Sequence, residues 1–190
     1  MEAVEPDPSR IVGAHAIRDL NRRTGGAIRV GQALGEALPF REGLFDLVYG
    51  RQVLHHTANP EAFCREAARV LRPGGLLVLA REHVVTFPGD LKRFLNRHDT
   101  HFMSGGEYAY PVRAYRDFLE AGGLEVTHVL STLSSEINLF PHTRDTLRLL
   151  AAKTLFLPKG VRLPDWTLSV LDLVYKAPGR PYTFVAVKPS

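Results

Sequence analysis

Three stretches decide the fold of this chain: Phe45-Asp46-Leu47-Val48-Tyr49, Asn59-Pro60 with the residues that follow it, and Leu76-Leu77-Val78-Leu79-Ala80. The first is a short, largely apolar run of strand length, and the last is the continuous apolar run of a fully buried strand. Between them Asn59 is a helix cap and Pro60 takes the first helical position, where its missing N–H costs nothing. Phe63, Ala67, Val70 and Leu71 then share one helix face, and Arg72-Pro73-Gly74-Gly75 is read as the break before the second strand. Strand, helix and strand in this order predict an α/β layered fold with a parallel sheet.

Upstream, Ala3-Val4-Glu5 is a strand stub stopped by Pro6 and Pro8. Ser9 is a good cap for a helix carrying Ile11, Ala14, Ile17 and Leu20 and ending at Gly25-Gly26, and Ala27 to Val30 can form a short strand. Downstream, residues 83–110 are rich in His, Gly and aromatic residues and are expected to form a loop-rich cover over a site. Pro111 opens a helix with Val112, Tyr115, Phe118 and Leu119 inward, and Gly122-Gly123 stops it. Leu124 to Leu130 alternates as a strand, two helices are expected near 143–156 and 165–176, and Tyr182 to Val187 is the last strand.

The whole stretch 1–190 is expected to be one domain, with a core at 1–82, a cover and helix at 83–123, and late strands with a helical insert at 124–190. Its 45% hydrophobic and 23% charged content is that of a globular chain. A single cysteine, Cys64, excludes a disulfide framework and a cysteine-built zinc site; it is placed at the margin of its helix's apolar face. His98, His101 and Glu107 have no recognised metal spacing, so no metal is expected. No apolar run is long enough to span a bilayer and the N-terminus is acidic, which makes the cytoplasm the expected compartment. The net charge of +4 sits entirely in residues 144–190, which hold eight Lys/Arg against three Asp/Glu. These cations are spaced out rather than run together, which reads as a solvated face and argues against nucleic acid.

The ordered set Leu38-Pro39-Phe40, Phe45-Asp46-Leu47-Val48, Val53-Leu54-His55-His56 and Arg69-Val70-Leu71-Arg72-Pro73-Gly74-Gly75 resembles the class I S-adenosylmethionine-dependent methyltransferases, in family order and spacing over residues 1–82. Gly105-Gly106-Glu107, Tyr110 and the closing strand are compatible with that family but less specific. The resemblance implies a Rossmann-like, doubly wound, mostly parallel sheet with an antiparallel C-terminal strand, S-adenosyl-L-methionine as cofactor, and a small-molecule methyl acceptor. It also implies a binding site beyond the carboxyl ends of the strands. Glu5 stands where the family places an acid for the ribose hydroxyls, with Pro6 beneath the adenosine. Gln32, followed by Ala33, takes the place of the residue that meets the adenine. Tyr49, Gly50, Arg51 and Gln52 are expected at the methionine end.

In-line methyl transfer asks mainly for positioning, with a general base where the acceptor holds a proton. Base candidates are Glu82, His83, His101, Glu107 and Tyr108, with His83 first because imidazole accepts a proton near neutral pH. His55 and His56 are expected to pack the loop rather than react.

One family feature is missing. No G-x-G-x-G turn precedes Glu5, so the first strand, the glycine loop and the following helix are absent from this sequence. Such a unit takes roughly 30 residues, and the chain is expected to be truncated at its N-terminus, its central strand's neighbours left without a partner. Two other readings compete. One is a non-catalytic α/β module acting through a partner, to which oligomer formation would be natural. The other is a nicotinamide-dependent dehydrogenase, disfavoured because its own G-x-G-x-x-G loop is also missing.

Overall fold

A computed structural model describes residues 1–96, 108–158 and 160–190. Strands β1 (Glu2–Val4) and β2 (Arg29–Gly31) pair in parallel around helix α1 (Ala14–Thr24). β3 (Phe45–Arg51) leads through a 3₁₀ turn (Leu54–His56) and α2 (Pro60–Val70) to the long β4 (Leu71–Val84). Then come α3 (Asp90–Leu95), α4 (Val112–Ala121), β5 (Glu125–Leu130), α5 (Glu136–Leu139), α6 (Arg144–Thr154), α7 (Trp166–Val174) and β6 (Arg180–Val187). The second sheet has the order β3-β4-β6-β5, and β6 runs antiparallel to both neighbours while β3 and β4 are parallel. The mixed α/β architecture and its reversed last strand match the expected fold class.

β1 and β3 are edge strands of two separate sheets. The apolar surface around them is open: Leu47 and Tyr49 of β3 are 53% and 60% exposed, and Ile11 and Leu20 are 89% and 61% exposed. The helix expected from Ser9 begins instead at Ala14. The Ser9 hydroxyl accepts from the Val12 and Gly13 N–H groups and so organises a turn, and Ile11 stays outside the helix.

The main core lies on the face of the second sheet covered by α2 and α4. Leu77, Leu79, Phe184 and Ala186 of β4 and β6 meet Phe63, Ala67 and Ala68 of α2 and Tyr115 and Leu119 of α4. Cys64 is fully buried there rather than marginal, and burial pushes its thiol up to about 12. α2 starts as expected, with the Asn59 side chain accepting from the Ala62 N–H at 3.0 Å.

α2 ends at Val70, just before the expected break at residues 72–75, but β4 already begins at Leu71 and runs through that segment. Gly74 adopts φ +76° and β4 shifts register against β3 there, so the segment is a bulge in a continuing ladder. Gly75 is required for space, since a Cβ would lie 2.9 Å from the Arg72 carbonyl oxygen.

The quoted motifs are joined to one another. Arg69 donates to the Phe40 and Leu38 carbonyls at 2.8 and 3.1 Å while gripping Glu66, whose carboxylate accepts from the Leu38 N–H at 2.9 Å. Glu36 accepts from the N–H groups of Ala58 and Asn59. The loop between the two sheets is thus bolted to both ends of α2.

Candidate active site

The carboxyl ends of β3 and β4 converge on a buried carboxylate. A second bulge in β4 opposes Ala80 and Arg81 to a single residue of β6, and Arg81 sits at φ +63°. The extra residue turns Glu82 onto the core face with Leu77, Leu79 and Val84, where it is fully buried. Its Oε1 accepts from the N–H groups of Val53 and Leu54 at 2.9 and 3.2 Å; its Oε2 accepts from the His55 N–H at 3.2 Å and bonds His55 Nδ1 at 2.6 Å. Burial alone would raise the Glu82 carboxyl, but the His55 hydrogen bond and charge, with the Val53 and Leu54 N–H bonds, outweigh it and hold it below its ordinary value. Because a carboxylate only accepts, Nδ1 of His55 carries the proton. Its Nε2 is buried and has no hydrogen-bond partner among the described residues.

His83, on the opposite face of β4, is half-buried. Its Nδ1 lies 2.8 Å from the Gly179 carbonyl oxygen, so Nδ1 is the protonated nitrogen and Nε2 is an acceptor, 3.3 Å from the Gln52 side-chain nitrogen. The ring also lies 4.6 Å from that of His55 and 4.8 Å from that of Phe94. Gln52 is held at φ +52°, a strained conformation for a non-glycine residue, by its N–H bond to the Ala80 carbonyl at 2.9 Å. Gly50 allows the turn beside it: a Cβ there would stand 2.4 Å from Val53 Cγ1.

Arg81 spans the site toward α5, donating to the carbonyls of Ile137, Asn138 and Phe140 at 3.1, 3.1 and 2.8 Å. Arg51, exposed, lies over the Phe140 ring at 5.9 Å. Burial and the nearby Arg51 lower the Arg81 guanidinium from its ordinary value. Beneath Arg81, buried Asn138 donates to the Leu130 and Ser131 carbonyls and accepts from Thr183 Oγ1 at 2.7 Å.

The residues expected at the adenosyl end gather at the ends of β1 and β2. The Glu5 N–H bonds the Gly31 carbonyl, its carboxylate accepts from the Asp7 N–H at 3.0 Å, and the Gln32 side chain donates to the Pro6 carbonyl at 3.1 Å. Ala33 follows Gln32, half-buried. Tyr49, Gly50, Arg51 and Gln52 stand together at the end of β3 as the strand order predicts. The structure therefore collects Glu5, Pro6 and Gln32 in one group and Tyr49 to Gln52 with His83 in another. His98, His101 and Glu107 lie outside the described residues. Tyr108 is half exposed, and its N–H donates to the His55 carbonyl. Among the described residues there is no group of three or more His, Cys, Asp or Glu placed to hold a metal, and no helix is long and apolar enough to cross a membrane. The role of His55 as the partner of Glu82 escapes sequence reasoning, because the bulge that turns Glu82 inward reverses the alternation by which a strand is read.

Residues 3–79 match the family model described as "Methyltransferase domain". Over 77 residues the chain is 43% identical to an uncharacterized methyltransferase of Mycolicibacterium gilvum, a match covering 40% of this chain and 28% of that protein. Over 55 residues it is 42% identical to the 27-O-demethylrifamycin SV methyltransferase of Amycolatopsis mediterranei, covering 29% of this chain and 20% of that one. The matched stretches thus span at most about a quarter of these relatives' own length. By fold it resembles the geranyl diphosphate C-methyltransferase of Streptomyces coelicolor, with TM-score 0.65 and 13% identity over 98% of this chain and 64% of that one. A structure of geranyl diphosphate methyltransferase in complex with SAM gives TM-score 0.65 and 15% identity over 98% of this chain and 68% of that one. Residues 3–79 thus match a methyltransferase domain, and the described fold is that of methyltransferases of known structure.

Proposed function

We propose that this chain contributes the acceptor-side half of a methyl-transfer site for a small-molecule acceptor, with His83 as the proton acceptor. The observation that carries this is the tautomer of His83: the Gly179 carbonyl keeps the proton on Nδ1, leaving Nε2 as the basic nitrogen beside Gln52 at the end of β4. S-adenosylmethionine, when bound, supplies a methyl group already activated on sulfonium. The residues present fit it: Glu5 offers a carboxylate for ribose hydroxyls, Pro6, Gln32 and Ala33 flank the same strand ends, and Tyr49, Gly50, Arg51 and Gln52 line the end of β3. Glu82 serves as an anchor rather than as the base. Every acceptor position it has is engaged and it is fully buried, so it fixes the Val53–His55 turn and, through it, the residues ahead of it.

The two parallel pairs leave β1 and β3 as edge strands, each with backbone groups open to pairing by a further strand. Titration calorimetry with S-adenosylmethionine tests the reading on this chain and on the chain extended upstream by roughly 30 residues of its reading frame. Binding by the extended chain, lost on Glu5→Ala, is expected; no binding by either would overturn it.

A further inference from the structure

We infer that the outer face of α7, with the turn that follows α6, is a docking surface for an anionic lipid bilayer. α7 is apolar on both sides. Leu168 is 2% exposed and Asp172 bonds Ser131 and the Leu133 N–H, so this side faces the protein. On the other side Trp166, Val170, Leu173 and Val174, at positions i, i+4, i+7 and i+8, are 65%, 51%, 74% and 72% exposed. The turn after α6 adds a second apolar element: Leu155, Phe156 and Leu157 are exposed, and Phe156 is turned out at φ +57° with 97% of its surface accessible. Large apolar side chains gathered on one exposed helix face, as in α7, mark an interaction site rather than ordinary solvated surface.

Charge selects the occupant. Residues 146–164 contain Arg148, Lys153, Lys159 and Arg162 and no Asp or Glu. The flanking acids are already engaged, Asp145 by Arg148 and Asp165 by Arg144, while Lys153 and Arg162 are exposed and in no ion pair among the described residues. The Arg144–Asp165 ion pair, with the Arg148 bond to the Leu163 carbonyl, ties the first turns of α6 to the segment that leads into α7. An apolar stripe with an interfacial tryptophan and surrounding cations fits the boundary of an anionic leaflet: the side chains enter the headgroup region and the cations meet lipid phosphates. A nucleic acid would match the cations but leave the aliphatic stripe in water.

Trp166 is the only tryptophan of the chain and lies in the stripe, so its emission reads the binding directly. Vesicles of phosphatidylcholine with phosphatidylglycerol should shift the emission to shorter wavelength and carry the chain down on sedimentation, and phosphatidylcholine alone should not. Lys153→Gln with Arg162→Gln should weaken the binding by roughly twenty-five-fold, about fivefold for each basic residue near the surface. Leu173→Glu with Val174→Glu should abolish it without changing the far-ultraviolet circular dichroism, since both side chains face outward. Equal binding to both vesicle types, or undiminished binding by the Glu variant, overturns the inference. So does an emission shift that appears without vesicles as protein concentration rises, which would give the face to a second copy, or one that appears with single-stranded RNA and not with vesicles.

Discussion

Replacing Glu82 by Gln isolates what the buried carboxylate contributes, because the side chain keeps its size. The glutamine oxygen can take over the two bonds from Val53 and Leu54, at 2.9 and 3.2 Å. The amide nitrogen must then face the His55 N–H, donor against donor, and only a tautomer exchange lets His55 Nδ1 accept from it. The variant therefore loses one charge-assisted bond, weakens two more and leaves one buried donor unsatisfied. Each loss costs on the order of 1–2 kcal/mol in a buried site, and the sum is about 3 kcal/mol. In a chain of this size that lowers the thermal midpoint by roughly 9 °C. Urea unfolding followed by circular dichroism measures it, and a loss below about 1 kcal/mol would refute the assignment of Glu82 as the anchor of the turn. The pH dependence gives an independent reading. The folded carboxyl is held below its ordinary value of 4.5, so the unfolded state binds the proton more readily. The stabilisation is complete above the unfolded value and is lost as pH falls below about 4.5 through the folded value. The gap between native protein and Glu82→Gln should be constant from pH 6 to 8, by the same linkage, and close on acidification.

Other expectations follow from neighbouring residues. Asn138→Leu leaves the Leu130 and Ser131 carbonyls and the Thr183 hydroxyl without their partner, and should cost about 2–4 kcal/mol in urea unfolding. Gly50→Ala should cost about 1–3 kcal/mol by forcing a methyl against the stiff Val53 side chain, and the double variant with Val53→Ala should recover part of it. Arg69→Ala should speed amide hydrogen exchange in residues 36–44, where its two carbonyl bonds are made, more than in α4; equal effects on both would count against the clamp.

Much of the layer order is legible in the sequence because its punctuation is local. Asn59-Pro60, Gly25, Gly122-Gly123 and the apolar runs at 45–49, 76–80 and 182–187 each specify an element end or a strand without reference to the rest of the chain. The short α3 and α5 are missed, since helices of six and four residues carry no periodicity to read. Ile11 and Leu20 have the right spacing for a covered face, but burial depends on what lies opposite, and both are exposed. Tyr49 to Gln52 and His83 lie at strand ends, a position that the order of strands and helices alone predicts. The part played by Glu82 is hidden because it depends on hydrogen bonds to a turn 27 to 29 residues away. Arg69 shows the same limit: in sequence it is one letter of a motif, whereas in the fold it joins that motif to Leu38 and Phe40.

The bulge at Arg81 also makes a statement about counting. On β4 the residues from Leu79 to Glu82 advance three places while β6 advances two, from Phe184 to Tyr182. A strand read by strict alternation would send Arg81 and His83 to the core and Glu82 outward; the inserted residue is a phase correction that assigns the acid to the interior and the imidazole to the opposite side. Removing Arg81 alone would cancel the insertion and leave both neighbours on their present sides, paired as before, while releasing the three carbonyls of Ile137, Asn138 and Phe140 that the guanidinium holds. The one-residue deletion is thus milder for the ladder than any insertion beside it, and it separates two tasks carried by a single position: keeping the strand in step, and tethering α5 to the mouth of the site.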